Sequence, residues 1–338
     1  MAVMAWNVRG LGQQETVRAL KNMIFKFKPR VVFLSETKQK KRYLEKIRMK
    51  MKMHNSFYVE PIGKAGGLAL WWTNDTSVNV LNHGRNLIDT RLSINGEEEW
   101  FGTFIYGPPY DAEKQHFWES LINLLSNMHE KWCIMGDSNI VARADEKVGG
   151  APFDFSRAKW FYDVINKCGL LEIPTKGGTF TWSNQRSQED AILEKLDRVL
   201  SSLEWNKLFP KALACLDVAI ASDHAPIILL LQGLNKKGRR DFKFESKWLL
   251  EEECAREVTE GWKPVQYADS NNMFGRKMKR TRLKLSKWSK VKYGKNKKVA
   301  DELINKIKAL EGKPLSFTEA KEVKELKKEL DKTDQHDM

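Results

Sequence analysis

The segment "WCIMGDSN", Trp132 to Asn139, runs from four apolar or near-apolar residues into a glycine and then into an acid and an amide. A run that is apolar at consecutive positions is typical of a strand buried on both faces, as in the centre of a layered α/β domain. Asp137 and Asn139 stand where this predicted strand ends. Both are common turn residues, but strand ends are also where layered α/β folds carry their chemistry. The segment therefore predicts a central strand that ends in either a turn or a functional site.

Apolar runs and amphipathic stretches alternate through the first 232 residues. The runs predicted as further strands are "AVMAW", "VVFL", "LALWW", "WFGTFIY" and "PIILLLQ". The predicted helices carry apolar residues at helical spacing, namely Val17, Leu20, Ile24 and Phe27, ending at Pro29; Phe117, Leu121, Leu124 and Met128; and Trp160, Phe161, Val164, Ile165 and Cys168, with Ser156 as the N-cap and Gly169 as the C-cap. Sheets covered by helices indicate a layered α/β domain that spans residues 1–232.

The composition favours a protein without membrane spans or disulfides. The chain has 338 residues, of which 41% are hydrophobic and 30% charged, enough for one large domain or two smaller ones. No apolar run reaches the roughly 20 residues that cross a bilayer, and the N-terminus lacks the pattern of a signal peptide. The four cysteines are far apart and form no CxxC pair, so we expect free thiols. We therefore expect a soluble intracellular protein that does not bind membranes.

The positive charge is concentrated in the last third of the chain. Residues 233–338 carry 28 Lys and Arg against 18 Asp and Glu, a balance of +10, which leaves +4 of the total of +14 for residues 1–232. A polar linker, "GLNKKGRRD", runs from Gly233 to Asp241, and the segment from Arg276 to Lys298 holds 12 Lys or Arg and no acid. One helical face in the tail is apolar, made by Val323, Leu326 and Leu330. We predict a basic, mostly helical tail that forms no core of its own and binds a polyanion such as nucleic acid.

Polar side chains suited to catalysis stand at the ends of most of the predicted strands. They are Asn7, Glu36, Tyr106, Asp137, Asn139, Asp197, Asp223 and His224. Each has an ordinary structural explanation on its own, such as a helix cap, a turn or a buried hydrogen-bonded histidine. Together they supply oxygen ligands that suit Mg²⁺, an acid that can take a proton from water, and a histidine that can face a phosphate. The set predicts metal-assisted hydrolysis of a phosphodiester.

The order of the motifs "WNVRG", "LSET", "GGLALWW", "YGPP", "GDSN", "LDRVL" and "SDHAPI" resembles the endonuclease/exonuclease/phosphatase superfamily. Within it, "WNVRGLG", "GTFTWSN" followed by "LDRVL", and "SDHAPI" are most similar to the N-terminal endonuclease domain of plant non-LTR (LINE-type) retrotransposon proteins. The resemblance implies a DNase I-like, four-layered α/β sandwich, with two mixed β-sheets packed face to face and helices outside, followed by a basic helical C-terminal extension. In that extension, "FKFESKWL" and "LSKWSKVKYGK" resemble the connector that leads to reverse transcriptase.

The resemblance also implies a role for each matched position. The expected metal ligands are Glu36, Asn7 and Asp223, with Mg²⁺ as the cofactor and Mn²⁺ as a substitute. The expected catalytic residues are Asp137, which positions or activates water; Asn139 and Tyr106, which contact the phosphate; His224, which stabilises the phosphoryl oxygens; and Asp197, which orients the His224 ring. Thr179 and Thr181 fall in the strand that is expected to touch DNA.

Two positions depart from the family pattern. Arg9 stands where repair enzymes carry an acid, which argues against a repair enzyme, and we expect it to contact DNA. Ser138 stands where an aromatic residue is more common, and its side chain is expected to face away from the site. The further residues predicted to bind DNA, or RNA, lie in the basic tail and are Arg276, Lys277, Arg280 and Trp288.

The sequence thus predicts a nuclear, monomeric DNA endonuclease that leaves a 3′-hydroxyl, of the type that nicks the target of a retrotransposon. The sequence shows no reverse transcriptase palm motif with paired aspartates, so we expect a truncated element or a fragment of a longer gene product. Two alternatives stay open. One is a phosphatase of the same superfamily that acts on a small phosphorylated substrate, and the other is a non-catalytic nucleic-acid-binding relic of a retroelement.

Overall fold

The computed structural model describes residues 1–125, 131–186, 188–233, 244, 246–263, 273–311 and 315–336. The chain divides into two compact units, Met1–Leu234 with Lys308–Val323 and Asn235–Ile307 with Lys324–Met338. The domain boundary expected after residue 232 stays a prediction. The expected linker from Gly233 to Asp241 lies outside the described residues, apart from Gly233 itself.

Two large sheets and one small sheet lie in the first unit. Their strands are β1 Ala2–Asn7, β2 Val31–Ser35, β3 Asn55–Val59, β4 Leu68–Trp72, β5 Thr76–Gly84, β6 Leu87–Ile94, β7 Trp100–Tyr106, β8 Trp132–Asp137, β9 Lys147–Val148, β10 Leu171–Glu172, β11 Thr175–Lys176, β12 Trp182–Ser183, β13 Leu193–Glu194, β14 Asp197–Ser201, β15 Leu213–Leu216 and β16 Ile227–Leu230. The large sheets have the orders β11-β15-β16-β1-β2-β4-β3 and β10-β14-β8-β7-β6-β5, and the small one β12-β13-β9. Both large sheets are mixed, because β1 and β2 run parallel, as do β7 and β8, among antiparallel neighbours.

Helices cover the outer faces of the two large sheets. The α-helices are α1 Gln14–Phe27, α2 Lys41–Lys50, α3 Asp111–Leu125, α4 Lys159–Cys168, α5 Leu203–Leu208, α6 Glu252–Trp262, α7 Met273–Glu311 and α8 Phe317–His336, and short 3-10 turns span Ala144–Glu146, Phe155–Ala158, Gln188–Asp190 and Ser246–Leu250. The apolar faces of α1 and α2 pack on the first sheet, and those of α3 and α4 pack on the second. The predicted four-layered sandwich with two mixed sheets at its centre is confirmed.

Alternating side chains of the central strands fill the layers between these elements. On β1, Ala5 points into the core between the two sheets, whereas Met4 points into the core beneath α1 and α2. Between the sheets, the rings of Phe33 and Phe104 stack with their centroids 5.4 Å apart. Fully burying a side chain of this size contributes about 1.5–3 kcal/mol, before the loss of side-chain entropy. Because both faces of β1 and β8 are buried, their sequences are apolar at consecutive positions.

One edge of the sandwich collects the polar strand ends. Asn7 and Ser35 end the parallel strands β1 and β2 side by side, and Tyr106 and Asp137 end the parallel strands β7 and β8 as register partners. The strand β14 runs antiparallel to β8 and begins at Asp197, directly opposite Asp137. The strand β16 runs antiparallel to β1 and begins where β1 ends, so the residues just before β16 lie at the same edge. The topology therefore brings chain segments that are far apart in sequence to a common edge.

The ends of α4 correct one prediction and confirm another. Ser156, predicted as the N-cap, lies inside the 3-10 turn Phe155–Ala158, and its backbone N–H donates to Asp154 at 2.9 Å. Asp154 therefore caps the turn, and the α-helix begins only at Lys159. Gly169 is the C-cap as predicted, with a left-handed φ of 59° that suits glycine.

The second unit contains a small apolar cluster. Trp248, Cys254 and Leu285 are buried together, and Trp288 packs against them. The expectation that the tail forms no core of its own is therefore wrong for this segment, because the 3-10 turn, α6 and α7 bring their few apolar residues together. The helical face predicted in the tail is confirmed by the burial of Val323, Leu326 and Leu330. No helix within the described ranges is long and apolar enough to cross a membrane.

Candidate active site

The side-chain amide of Asn7 links three of the predicted site residues. Its Nδ2 donates to Glu36 Oε1 at 3.1 Å and to Asp137 Oδ2 at 2.9 Å, and lies 3.4 Å from His224 Nε2. Its Oδ1 accepts the backbone N–H of Arg9 at 3.2 Å, which fixes the direction of the amide. Asn7 is 1% exposed. Asn7, expected as a metal ligand, thus turns its NH₂ group rather than its oxygen toward the site.

The Glu36 carboxylate is held by a phenol and an ammonium group. Its Oε1 accepts the Tyr106 hydroxyl at 3.0 Å, and its Oε2 lies 2.9 Å from Lys38 Nζ. Burial raises the pKa of Glu36, but the contacts with Lys38, Asn7 and Tyr106 outweigh it and hold that pKa below its ordinary value. Burial, with the charges of Glu36 and Asp137, raises the pKa of Tyr106, so its hydroxyl stays protonated and donates. Glu36 also has a left-handed φ of 50°, a costly conformation that is common at functional sites.

Asp137 is buried, and the residues after it turn the chain sharply. Its Oδ1 accepts the backbone N–H of Asn139 at 2.9 Å, while the Asn139 amide donates to the Gly107 carbonyl at 2.7 Å. Asn139 has a left-handed φ of 51°. Burial raises the pKa of Asp137 to about 6, despite the positive charge of nearby His224. "GDSN" is therefore both a turn and part of a site, in which Asp137 can exchange a proton near neutral pH.

His224 lies between two carboxylates. Its Nδ1 lies 3.0 Å from Asp197 Oδ2, and its Nε2 lies 3.7 Å from Asp137 Oδ2. Burial lowers the pKa of His224, but the charges of Asp197 and Asp137 outweigh it and raise that pKa to about 9. The imidazole is therefore charged near neutral pH and donates from both nitrogens. Asp197 orients the ring, and Nε2 faces the centre of the site.

Thr181 supports this pair from behind. Its hydroxyl accepts the backbone N–H groups of Leu196 and Asp197, both at 2.9 Å. Thr181 is 2% exposed, so the side chain that was expected to touch DNA instead holds the chain at Asp197. Thr179 is exposed. Ser138 is buried and donates to the Leu196 carbonyl at 2.6 Å.

Asp223 joins the site through Arg9. Its Oδ2 forms an ion pair with the Arg9 guanidinium and accepts the Trp182 indole N–H at 2.8 Å. Arg9 Nε lies 4.0 Å from Glu36 Oε2. The other oxygen of Asp223, Oδ1, is buried and has no hydrogen-bond partner among the described residues.

The donor set fits a divalent cation beside Glu36. Its carboxylate and the unpartnered Oδ1 of Asp223 are hard oxygen donors of the kind that Mg²⁺ and Mn²⁺ prefer. A second group, made by Asp137, Asp197 and His224, has its ligand atoms within 4.8 Å of one another. A histidine must be neutral to ligate a metal, and here Nδ1 is bonded to Asp197 and the ring is charged. This second group therefore fits acid–base chemistry better than metal binding.

Comparison with known sequences assigns the chain to a family. A profile of the endonuclease/exonuclease/phosphatase family matches residues 4–224, more than half of the chain. The chain belongs to the endonuclease/exonuclease/phosphatase family. No curated protein sequence is significantly similar to it. The predicted superfamily is confirmed, whereas the plant retrotransposon subgroup and the reverse transcriptase connector stay predictions.

Solved structures similar to this member of the endonuclease/exonuclease/phosphatase family include the following three. The 3′–5′ exonuclease NExo from Neisseria meningitidis has a TM-score of 0.52 and 18% identity, covering 68% of this chain and 99% of its own. An AP endonuclease from Archaeoglobus fulgidus has a TM-score of 0.52 and 16% identity, covering 68% and 98%. The endonuclease domain of TRAS1, a telomere-specific non-LTR retrotransposon, has a TM-score of 0.52 and 14% identity, covering 70% and 99%. At such identities the likeness establishes the DNase I-like fold alone.

The four predicted DNA-binding residues of the tail lie outside the part of the chain that matches the family. They are on α7, where Arg276 is exposed, Arg280 is half-buried and Lys277 Nζ lies 5.8 Å from the centre of the Trp262 ring. The Trp288 ring meets the Trp248 ring edge-on, with centroids 5.7 Å apart. The Trp288 indole also donates to Glu253 at 3.1 Å. Trp288 is thus engaged in the apolar cluster of the second unit, rather than standing free to stack on a base.

Three residues that contact the candidate site were assigned no role from the sequence. Ser222 donates to the Asn7 carbonyl at 2.8 Å and accepts the His224 backbone N–H at 3.2 Å, so it ties the two segments together. Lys38 and Trp182 hold Glu36 and Asp223, as described above. Lys38 was within reach of sequence reasoning because it follows Glu36 by two residues. No local signal could have paired Trp182 with Asp223, which is 41 residues away.

Proposed function

We propose that the chain is a DNA endonuclease that depends on a divalent cation. The observation that carries this proposal is the Asn7 amide, which donates one hydrogen bond to Glu36 and another to Asp137. It thereby holds Glu36 beside the buried acid–base pair Asp137 and His224. Membership of the endonuclease/exonuclease/phosphatase family directs the chemistry to phosphoester bonds. The net charge of +14 favours a polyanionic substrate over a small one.

Glu36 and Asp223 are the residues that would hold the cation, which we propose to be Mg²⁺ with Mn²⁺ as a substitute. When bound there, it would supply a Lewis acid that stabilises negative charge on the phosphoryl group. In this assignment Asn7 positions Glu36 and Asp137 by hydrogen bonds instead of serving as a ligand. Tyr106 and Lys38 hold the Glu36 carboxylate in its ionised form.

The proton transfer is assigned to Asp137. Its carboxylate is ionised above a pKa of about 6 and accepts a proton from the attacking water. The water oxygen bonds to phosphorus, the bond from phosphorus to the 3′ oxygen breaks, and the departing oxygen takes a proton from solvent to become a 3′-hydroxyl. Charged His224 donates a hydrogen bond from Nε2 to a phosphoryl oxygen, while Asn139 and Tyr106 contact the phosphate.

Within this class we propose an enzyme of the retrotransposon target-nicking type, acting in the nucleus. Arg9, in place of an acid beside Asn7, argues against a repair enzyme, and the motifs "GTFTWSN" and "LDRVL" resemble those of non-LTR retrotransposon endonucleases. A 3′-hydroxyl at the nick is the end that a polymerase can extend. The basic residues of α7 would add phosphate contacts with DNA or RNA.

A supercoiled plasmid tests the proposal. We expect nicked circles with Mg²⁺, none with EDTA, and a rate about 10²–10⁴-fold lower for Asp137→Ala, which is the usual contribution of a positioned base. Glu113→Gln removes an exposed carboxylate outside the site and keeps the parent rate. Direct extension of the nick by a DNA polymerase identifies the 3′-hydroxyl. Equal rates for Asp137→Ala and the parent would refute the assigned site, and hydrolysis of inositol phosphates without nicking would favour the phosphatase.

A further inference from the structure

The Arg9 side chain places a positive charge between the two carboxylates assigned to the cation. Its guanidinium pairs with Asp223, and its Nε lies 4.0 Å from Glu36 Oε2. The Arg9 side chain is 48% exposed, whereas those of Glu36 and Asp223 are 15% and 12% exposed. The arginine therefore reaches inward from the rim of the site and bridges two mostly buried acids.

Arg9 is anchored at both ends. Its backbone N–H donates to Asn7 Oδ1 at 3.2 Å, and its φ of 46° is left-handed. Its guanidinium partner, Asp223, is itself held by the Trp182 indole at 2.8 Å. An arginine is charged at every pH at which the protein folds. The site therefore carries a permanent positive charge at a fixed place.

Lys38 differs from Arg9 in how it meets Glu36. The Lys38 ammonium lies 2.9 Å from Glu36 Oε2, and the side chain is 32% exposed. A lysine on a flexible stem can swing toward solvent when a cation takes its place, because its ion pair is partly exposed and weak. The guanidinium of Arg9 is held more firmly, because its departure would leave the mostly buried Asp223 carboxylate without its ion-pair partner.

The local charges limit how many cations this place can hold. The carboxylates of Glu36 and Asp223 supply two negative charges, and the guanidinium of Arg9 neutralises one of them. One divalent cation that displaces Lys38 leaves this group with a net positive charge. A second divalent cation would lie next to both the first cation and the guanidinium, with no further carboxylate of this group to offset the repulsion.

We propose that Arg9 occupies the place of a second cation and restricts the site to one divalent ion. This inference rests on the proposed cation-dependent function, because it concerns the same two carboxylates. Arg9 is in this view a specificity-determining residue for the metal centre. Where a second cation would bind only at sufficient metal concentration, the Arg9 guanidinium supplies a positive charge that is always present.

The number of bound ions can be counted without measuring activity. Mn²⁺ bound to the full chain is measured from the loss of the electron paramagnetic resonance signal of free Mn²⁺. We expect one bound ion for the parent and two for Arg9→Asp. Arg9→Lys keeps the charge and should stay at one. Arg85→Asp makes the same charge change at an exposed ion pair with Glu113 outside the site, and should also stay at one. Circular dichroism confirms that each variant is folded.

Parallel plasmid nicking separates this inference from the proposed function. A parent that nicks DNA and binds two Mn²⁺ overturns the inference and leaves the endonuclease intact. A parent that neither nicks DNA nor binds Mn²⁺ overturns both. If Arg9→Asp fails to fold, Arg9→Gln replaces it and should gain a second, weaker binding event. A single ion in every folded variant that lacks the Arg9 charge also overturns the inference.

Discussion

The imidazole Nδ1 of His224 donates to Asp197 Oδ2 across 3.0 Å, and both residues are almost completely buried. The positive charge of His224 and the negative charge of Asp197 compensate each other. A buried charge without a partner would be strongly destabilising. Burial lowers the pKa of His224, but this contact and the charge of Asp137 together outweigh burial and raise that pKa to about 9. The pair therefore links the protonation of the candidate site to the stability of the fold.

This contact predicts a pH-dependent effect of Asp197→Asn. Because the folded-state pKa of His224, about 9, lies above its ordinary value of 6.5, the charged pair stabilises the fold fully below about pH 6.5 and loses this effect as the pH rises through about 9. We expect the melting temperature of Asp197→Asn to lie well below that of the parent near pH 6. The difference should shrink by at least about half near pH 9.5.

Asp217→Asn is the matched control for this experiment. Asp217 is also buried, but its ion-pair partner at 2.5 Å is Lys26 rather than a histidine. Its melting deficit should be nearly constant over the same range. A deficit of Asp197→Asn that is equally constant would show that His224 is neutral in the folded protein.

Isosteric changes should distinguish cation binding from proton transfer. Glu36→Gln, Asp137→Asn and His224→Gln should each slow plasmid nicking by about 10²–10⁴-fold. Raising Mg²⁺ should partly restore Glu36→Gln, because mass action compensates for a weaker site. It should not restore the other two, which lose a proton acceptor and a hydrogen-bond donor. Equal recovery of all three variants would mean that Asp137 and His224 act through the cation.

The strands that end in the site could be predicted because they are buried on both faces. "WCIM" and "AVMAW" lie between a second sheet and a helical layer, so their apolar runs have no gaps. The strand β5 was not among the predictions, which relied on continuous apolar runs. Val78 and Val80 of β5 are half-buried and alternate with exposed residues. In β6, the buried Asp89 accepts from Thr103 at 2.6 Å, and such a polar pair interrupts the apolar pattern.

The site residues could be proposed from the sequence, but not the network that joins them. Arg9 and Asp223 are 214 residues apart, and local patterns do not encode which distant segments meet. The Asn7 amide was expected to act as a metal ligand. Its oxygen instead accepts from the Arg9 backbone N–H, and its NH₂ group donates to Glu36 and Asp137. Thr181 was expected at the DNA surface because the family resemblance placed it in a strand that touches DNA. Its burial depends on contacts with Leu196 and Asp197, which no local pattern encodes.

The close approach of β8 to β7 predicts that Gly136→Ala is strongly destabilising. Gly136 has a φ of +139°, and a Cβ there would lie 2.2 Å from the Ile105 carbonyl oxygen. Strain and overpacking should together lower the free energy of unfolding by about 2–4 kcal/mol, measured by urea denaturation. Gly84→Ala is the control, since a Cβ at Gly84 meets nothing within 4 Å, and it should change the free energy little. Similar values for the two variants would mean that β8 can move away from β7.

The basic residues of α7 predict how DNA binding depends on salt. Lys and Arg that contact phosphates release counterions, so each lost contact should lower the slope of log affinity against log salt by about 0.9. Replacing Arg276, Lys277 and Arg280 by Gln should therefore weaken binding and flatten the slope. The nicking rate at saturating DNA should change little, because none of the three belongs to the network around Asn7.

A second triple variant removes the same charge elsewhere and serves as the control. In this variant Gln replaces Lys21, Lys28 and Lys50, three exposed residues of the first unit. A general effect of net charge would weaken binding equally in both triple variants, whereas phosphate contacts by α7 flatten the slope in the first variant alone. Affinities measured at several salt concentrations, with circular dichroism to confirm folding, separate the two. Identical slopes for the parent and the α7 variant would mean that this stretch of α7 does not contact DNA, and RNA would be the next polyanion to titrate.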